Sequence, residues 1–385
     1  MSTVSSLRTV LTPLAITRLA LGWIAFLALL LAEPLLPDPL PTPLVFAVLG
    51  AIVVVIIVCA FGVVTQAEHL AQRLGDPYGT LVLTLSIVLI EVILISAVML
   101  GPGEHATIAR DSVMAVSMII LNLVVGASLL VGGLRHSDLR PNRTGVSTYL
   151  SLLVVLSAVA FALPGLIGVD GAYTSGQAIP IIVLTVLLYG FFLYRQTGAQ
   201  RADFQEVVLD RDPTPAARTE GSEQTRRVSE VLTRHRAEIV ARTAVLLATA
   251  IPIVLLSHDM AVLLDDGLER LGAPAALSGI LIAMIVFLPE TITSIRAALA
   301  GEIQRVSNLC HGALVSTVGL TIPAVLTIGL VTGQTVILAE TPANLVLLGV
   351  SLLLTLATFA GRRVTALHGA VHLLLFVLYG MTVLQ

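Results

Sequence analysis

Long apolar runs alternate along this chain with short polar stretches rich in proline, glycine and arginine. Several runs reach roughly 18–22 residues, the length that an α-helix needs to cross a hydrocarbon core. Helices are favoured there because each satisfies its own backbone hydrogen bonds. The pattern therefore predicts an all-α polytopic membrane protein with eleven spans. The predicted spans are 15–32, 44–65, 79–100, 112–133, 147–168, 175–195, 238–257, 275–298, 306–330, 343–360 and 364–383.

The composition supports this class and excludes others. Hydrophobic residues make up 56% of the 385 positions and charged residues only 12%, which is too little charge for a soluble protein of this size. The net charge of −3 gives no reason to expect a nucleic-acid partner. No phosphate-cradling glycine motif or nucleophile elbow occurs, so transport driven directly by ATP is not expected.

Two segments of the chain resemble each other. Arg73-Leu74-Gly75-Asp76-Pro77 shortly precedes Glu91, and Arg270-Leu271-Gly272-Ala273-Pro274 shortly precedes Glu290. The duplication indicates one leading helix followed by two five-helix repeats, formed by spans two to six and spans seven to eleven. Because each repeat crosses the membrane an odd number of times, the two repeats are expected to be inverted.

This interpretation divides the chain into four segments. They are 1–43 (N-terminus and first span), 44–195 (first repeat), 196–237 (cytoplasmic linker) and 238–385 (second repeat). The linker is rich in Arg, Glu, Asp, Thr and Pro and has no apolar periodicity until its end. That composition is typical of a flexible connection.

The arginines indicate the orientation in the membrane. All 21 basic residues are arginines, and with a cytoplasmic N-terminus only Arg110 and Arg270 fall on the outer side. The positive-inside rule therefore predicts that the N-terminus is cytoplasmic and the C-terminus is outside.

Glu91 and Glu290 lie inside apolar runs, where a carboxylate costs several kcal/mol and persists mainly where it serves a function. Glu91 lies twelve residues beyond Gly79 and Glu290 fifteen beyond Ala275. These separations place both acids about 18–22 Å along their helices, near the middle of the membrane. Antiparallel helices crossing there would bring the two carboxylates together, as in transporters whose ion site lies between repeats.

Further oxygen ligands are available near both acids. Pro289 removes a backbone donor and frees a carbonyl one turn earlier. Hydroxyl, amide and carbonyl oxygens suit hard cations such as Ca²⁺, Na⁺ or Mg²⁺. The predicted supporting ligands are Ser86, Asn122, Ser128, Pro289, Ser316 and Thr317.

Other residue types have less specific interpretations. His368 and His372 are spaced i, i+4, as metal ligands on one helical face can be, but no third ligand is evident. Cys59 and Cys310 are far apart in apolar runs, which favours packing roles over a disulfide. Several aromatic residues near predicted span ends are interpreted as interface anchors. These are Trp23, Tyr149, Tyr189 and Tyr194.

Two stretches carry a resemblance to a known family. AEHLAQRLGDPYGTLVLTLSIVLIEVILISAVM, from Ala67 to Met99, resembles bacterial ChaA-type calcium/proton antiporters of the cation/Ca²⁺ exchanger superfamily. FLPETITSIRAALAGEIQRVSNLCHGALVSTVGLTIP, from Phe287, resembles the second repeat of that superfamily. The resemblance implies that Glu91 and Glu290 bind the cation and exchange protons, and that the protein lies in a bacterial inner membrane.

The expected function is therefore export of Ca²⁺ in exchange for H⁺ by alternating access, without enzymatic activity. Inorganic cations, protons and the lipid bilayer are the expected partners; no cofactor is expected beyond the transported ions, and the oligomeric state stays open. A monovalent Na⁺ or K⁺/H⁺ antiporter on the same fold is the main alternative. A membrane-embedded metal-dependent hydrolase using His368 and His372, or a passive cation channel, is less favoured.

The orientation leads to a labelling prediction. With the linker in the cytoplasm, the cysteine of Thr219→Cys is expected to be protected from an impermeant thiol reagent in intact spheroplasts. The cysteine of Gln334→Cys, between spans nine and ten, is expected to be labelled. The reverse pattern would overturn the orientation but leave the inverted repeat intact.

Overall fold

A computed structural model of the chain is almost entirely helical in the residues that it describes. These are residues 9–32, 39–74, 106–207, 236–273 and 276–383, with the isolated positions 34, 37, 85, 88, 92, 95, 96 and 99. Extended backbone pairing in these ranges consists of three isolated bridges between loop residues. The predicted all-α class is confirmed.

Ten long helices are numbered here in chain order. They are α1 (Pro13–Ala32), α2 (Thr42–Leu74), α3 (Ile108–Arg135), α4 (Arg143–Ile167), α5 (Ser175–Thr197), α6 (Arg236–Arg270), α7 (Ala276–Ala300), α8 (Ile303–Thr332), α9 (Pro342–Ala360) and α10 (Ala366–Val383). Within the described ranges, nine of them are long and apolar enough to cross a membrane. The remaining long helix is α7. The third predicted span, 79–100, falls mostly on residues outside these ranges.

Two helices extend well beyond their predicted ends. Span 44–65 is part of α2, which continues to Leu74, and span 238–257 is part of α6, which continues to Arg270. The hydropathy falls because polar residues such as Asp259 and Asp265 appear, but no proline occurs in either extension, and the glycine in the second, Gly267, does not interrupt the helix. Gly272 adopts a left-handed φ of 67°, which favours glycine after a helix. Both helices therefore end within the duplicated Arg-Leu-Gly sequence.

The described residues form two compact units. The first contains α1, α2 and α6. The second contains α3, α4, α5, α8, α9 and α10. Residues of α7 belong to both units, and Glu290 belongs to the second.

In the first unit, α2 and α6 pack along each other, and α1 packs against both. A Cβ on Gly22 of α1 would lie 2.9 Å from Pro252 of α6 and 3.0 Å from Cys59 of α2. The Trp23 indole donates a 3.0 Å hydrogen bond to the carbonyl of Ala248. Close backbone approach through small residues is the usual means of packing helices in lipid.

In the second unit, α3 packs along α10, while α8 packs against α4 and α5. The α3–α10 contact is a backbone contact, because a Cβ on Gly369 would collide with the main chain of Gly126 and Leu130. On α8, Gly312 and Gly319 lie against the rings of Tyr149 and Tyr189. In terms of the predicted spans, span four (α3) packs against span eleven (α10), and span nine (α8) packs against span six (α5). This pairing is expected for two related repeats.

The predicted linker begins with ordered structure. A short 3₁₀-helix, Arg201–Phe204, follows α5, and Phe204 is only 1% exposed. Its ring packs edge-on against Tyr149 and Phe192, with centroids 5.1 Å and 6.0 Å apart. Residues 208–235 of the linker lie outside the described ranges.

The α3–α10 contact predicts a sharp difference between two glycines of one helix. Gly369→Ala is expected to lower the apparent Tm, because overpacking a close contact costs about 1–3 kcal/mol and here the obstacle is backbone. Gly380→Ala is the matched control, since a Cβ there meets nothing within 4 Å. It is expected to leave the Tm unchanged or raise it slightly through better helix propensity. Fluorescence-detected thermal unfolding of both variants measures the difference; equal Tm values would contradict the packing.

Candidate functional site

Glu290 is a buried acid in the middle of an apolar helix. It lies fourteen residues into α7, about 21 Å from the first residue, and is 6% exposed. The helix continues through Pro289, whose missing N–H leaves the carbonyl of Ile285 without its usual intrahelical donor. The carboxylate and the freed carbonyl are therefore about one and a half turns apart on this helix.

Hydroxyl groups accompany Glu290 on the following turn. Thr293 is 6% exposed and Ser294 is 1% exposed. The Ser294 hydroxyl accepts a 3.6 Å hydrogen bond from the thiol of Cys310 on α8. The second unit thus places a carboxylate, hydroxyl oxygens and one thiol on the facing turns of α7 and α8.

The second acid of the predicted pair, Glu91, and the supporting residue Ser86 lie outside the described ranges. The approach of Glu91 to Glu290 therefore stays a prediction. Pro289 is described only through its backbone.

Asn122 lies in a π-helical segment of α3, Ile119–Val124, and is fully buried. Such single π turns frequently occur at functional sites. The Asn122 amide donates a 2.8 Å hydrogen bond to Ser351 of α9, and its oxygen lies 3.4 Å from Nδ1 of His372 of α10. The other ring nitrogen of His372 lies 3.2 Å from the hydroxyl of Thr358. Asn122 is thus the centre of a four-residue network joining α3, α9 and α10.

The remaining predicted ligands have different surroundings. Ser316 donates to the carbonyl of Gly312 at 2.8 Å and accepts from the hydroxyl of Tyr189 at 2.9 Å. Thr317 is fully buried one residue further along α8. Ser128 on α3 is also fully buried, and its hydroxyl oxygen has no hydrogen-bond partner among the described atoms. For Ser316 the ordinary role of a membrane hydroxyl, a bond to its own i−4 carbonyl, is observed.

The two histidines at i, i+4 have separate partners. Nδ1 of His368 accepts from the backbone N–H of Thr365 at 3.1 Å, whereas His372 belongs to the Asn122 network. Within the described ranges, no group of three His, Cys, Asp or Glu side chains could hold a metal ion. The geometry gives this pair hydrogen-bonding roles.

Two tyrosines interpreted as interface anchors are instead buried. Tyr149 is fully buried and Tyr189 is 4% exposed, whereas Tyr194 is 73% exposed. The Tyr149 hydroxyl lies between Gln196, which donates to it at 2.8 Å, and Asn308, to which it donates at 3.3 Å. Position near a span end does not reveal this, because the burial depends on Gly312 of α8 making room for the ring.

A further buried carboxylate, Glu340, lies in the loop before α9, where sequence analysis predicted no site. Its side chain is 1% exposed and lies 3.9 Å from the Arg110 guanidinium. Burial raises the pKa of the Glu340 carboxyl, while hydrogen bonds from Asn344 and Thr341 and the charge of Arg110 oppose that shift. The backbone N–H of Glu340 donates to Phe161 of α4, so this residue fixes the loop to its unit.

Comparison with known proteins assigns a family to this arrangement. The family described as sodium/calcium exchanger protein matches residues 44–198 and 242–385. The two matched segments nearly coincide with the two predicted repeats and leave out the predicted linker.

Two relatives match most of the chain. The putative ionic transporter y4hA of Sinorhizobium fredii is 35% identical over 322 residues, 83% of this chain and 83% of that protein. The sodium-potassium/proton antiporter ChaA of Escherichia coli is 31% identical over 350 residues, 89% of this chain and 90% of that protein.

A solved structure shows the same fold. The structure of YfkE, described as a Ca²⁺/H⁺ antiporter, superposes with a TM-score of 0.61 at 16% identity. The superposition covers 96% of this chain and 98% of that chain. Because the family match covers most of the chain and both relatives are more than 30% identical over at least 83% of it, this chain belongs to the sodium/calcium exchanger family of secondary transporters.

Proposed function

We propose that the chain is an antiporter that exports Ca²⁺ in exchange for protons, with Glu290 as one of two carboxylates that bind either ion. The observation that carries the proposal is the burial of Glu290 at the middle of α7, beside Thr293 and Ser294. An acid retained at such a depth in an exchanger serves the transported ion more readily than it serves stability. Oxygen donors of this kind suit a hard divalent cation.

The mechanism that we propose is competition. Two carboxylates facing each other in a low-dielectric site cannot easily both stay ionised. The empty site therefore holds protons, and a cation entering from one side of the membrane displaces them. Because positive charge compensates the acids in both loaded states, each state can undergo the rearrangement that opens the site to the other side. The proton gradient then drives cation export.

A monovalent Na⁺ or K⁺/H⁺ antiporter is the second candidate. ChaA, a sodium-potassium/proton antiporter, is 31% identical to this chain, which favours it. The use of Ser316 in bonds to Gly312 and Tyr189 leaves fewer oxygens for a divalent ion with its larger coordination number. Membership of an exchanger family removes the hydrolase and channel alternatives.

Neutralising either acid is expected to stop exchange. Glu290→Gln and Glu91→Gln should each reduce cation-driven proton movement in proteoliposomes by about 100-fold or more, because each removes one of the two charges that bind the cation, and losing one side of a buried charge interaction in a complex costs about 2–5 kcal/mol. Expression should be kept, because a neutral isostere relieves buried charge. Glu340→Gln is the control: it removes another buried carboxyl and is expected to keep exchange. Near-normal exchange by Glu290→Gln would reject the proposed site.

Competition also predicts a pH dependence. Protons occupy the carboxylates as pH falls, so apparent cation affinity should decrease towards acidic pH and increase towards alkaline pH. Cation binding to detergent-solubilised protein should release protons, seen as a binding heat that varies with the ionisation enthalpy of the buffer. Glu290→Gln should reduce that release. Titrations with Ca²⁺, Na⁺ and K⁺ identify the ion; pH-independent binding without proton release would rule out competition.

A further inference from the structure

A cavity of about 540 Å³ lies in the second unit, between the first turns of α4 and the last turns of α5. Arg143 and Arg195 line it at these helix ends, and Phe192 and Phe204 form part of its buried wall. None of its lining residues belongs to the proposed ion site. Both helix ends lie on the side that the arginine distribution assigns to the cytoplasm.

Neither arginine has an acidic partner among the described residues. Nε of Arg143 donates to the carbonyl of Gly361 at 3.1 Å, and Nε of Arg195 donates to the side-chain oxygen of Gln200 at 3.1 Å. In the part of the chain that the structure describes, no carboxylate forms a salt bridge with either guanidinium. Two uncompensated positive charges at one cavity favour an anionic ligand, and guanidinium groups bind phosphate particularly well.

A stripe of hydroxyls continues the cavity along α4. Thr144, Ser147, Thr148 and Ser151 line it at i, i+3, i+4 and i+7, which places them on one helical face over about 10 Å. Thr148 and Ser151 donate to the carbonyls of Thr144 and Ser147 at 2.9 Å and 2.8 Å, so their oxygens remain acceptors. The described residues offer no hydrogen-bond partner to the hydroxyls of Thr144 and Ser147. This face can therefore both donate to and accept from a polar ligand.

Gln196 gives an independent indication of a polar ligand. It lines the cavity, is 6% exposed, and donates from Nε2 to the Tyr149 hydroxyl at 2.8 Å. Its Oε1 is buried and makes no hydrogen bond within the described ranges. A buried acceptor without a donor is unfavourable, and a ligand hydroxyl entering the cavity would satisfy it.

The rest of the cavity wall is apolar. Leu152 of α4 and Leu188 of α5 line it, and Phe191 beside them is 61% exposed on a helix that crosses the membrane. Charge lies at the membrane boundary, hydroxyls follow, and apolar surface continues towards the bilayer interior. A phospholipid presents its phosphate, glycerol and acyl chains in that order.

We propose that this cavity binds the headgroup of an anionic glycerophospholipid from the bilayer. Arg143 and Arg195 bind the phosphate, the Thr144–Ser151 face bonds to the glycerol region, and the acyl chains follow Leu188 and Phe191. Gln196 accepts from a headgroup hydroxyl, which favours a lipid such as phosphatidylglycerol. Basic pockets between membrane helices on the cytoplasmic side bind anionic headgroups by the same physical rules.

The test uses the full-length chain, purified in detergent, stripped of lipid and titrated with phosphatidylglycerol or phosphatidylcholine in native mass spectrometry. Wild type is expected to retain phosphatidylglycerol and release phosphatidylcholine. Arg143→Gln and Arg195→Gln should each weaken retention about fivefold, and together about thirtyfold. Arg140→Gln is the matched control, since Arg140 pairs with Asp138 in the loop before α4 and does not line the cavity. It should change retention less than twofold.

A second variant leaves the charge unchanged. Ser151→Leu adds bulk to the hydroxyl face and should also weaken phosphatidylglycerol retention. This variant replaces the double arginine variant in the test if the latter is not monodisperse in size-exclusion chromatography. Equal retention by wild type and these variants, or equal retention of phosphatidylcholine, would overturn the proposal. So would displacement of the lipid by millimolar inorganic phosphate or glycerol phosphate, which would indicate a soluble anion. A dimer that the variants dissociate would also overturn it, because a second copy of this chain would then occupy the cavity.

Discussion

Inside a bilayer no water is available to satisfy a polar group, so each one must find its partner within the protein. This constraint explains why the described chain is helical and why its membrane hydroxyls bond to carbonyls one turn earlier, as Ser257 does to Ile253 at 2.7 Å. It also explains the Asn122 network, in which an amide, two hydroxyls and an imidazole from three helices satisfy one another. A carboxylate such as Glu290 is the hardest group to satisfy in this way, which makes a transported cation or proton its natural partner.

The bilayer also weakens the hydrophobic effect as a driving force for helix association, because lipid chains are as apolar as leucine. Close approach of backbones takes the place of the hydrophobic effect. Glycines allow this close approach in the second unit. Gly369 packs against Gly126, and Gly312 and Gly319 pack against tyrosine rings. The pairing of α3 with α10 and of α8 with α5 is the one expected for two related five-helix repeats.

Much of the fold is predictable because hydropathy is measured over twenty residues at a time, and ten of the eleven spans coincide with helices in the described ranges. The continuation of α6 to Arg270 is not predictable from hydropathy, since its last turns are amphipathic and bury Leu264 and Leu268 while exposing charge. Glu290 is recognisable from sequence because a lone acid in an apolar run is itself the signal. The partners of Asn122 are not, because Ser351 and His372 are more than 200 residues away and look like ordinary helix residues. Tyr149 is misjudged because its burial depends on Gly312 of another helix, which gives no local signal in the sequence around Tyr149.

The π-helical turn in α3 sets the rotation of the two α-helical segments on either side of it. One additional residue in a turn shifts the two flanking α-helical segments by about 100° relative to an uninterrupted helix. Asn122, inside the turn, and Gly126, just after it, both face α10, where they meet His372 and Gly369. The length of this segment is therefore as informative as its composition: losing one residue between Ile119 and Val124 would preserve nearly every side chain yet rotate the polar network away from the glycine contact. In this helix, insertions and deletions are constrained more tightly than substitutions.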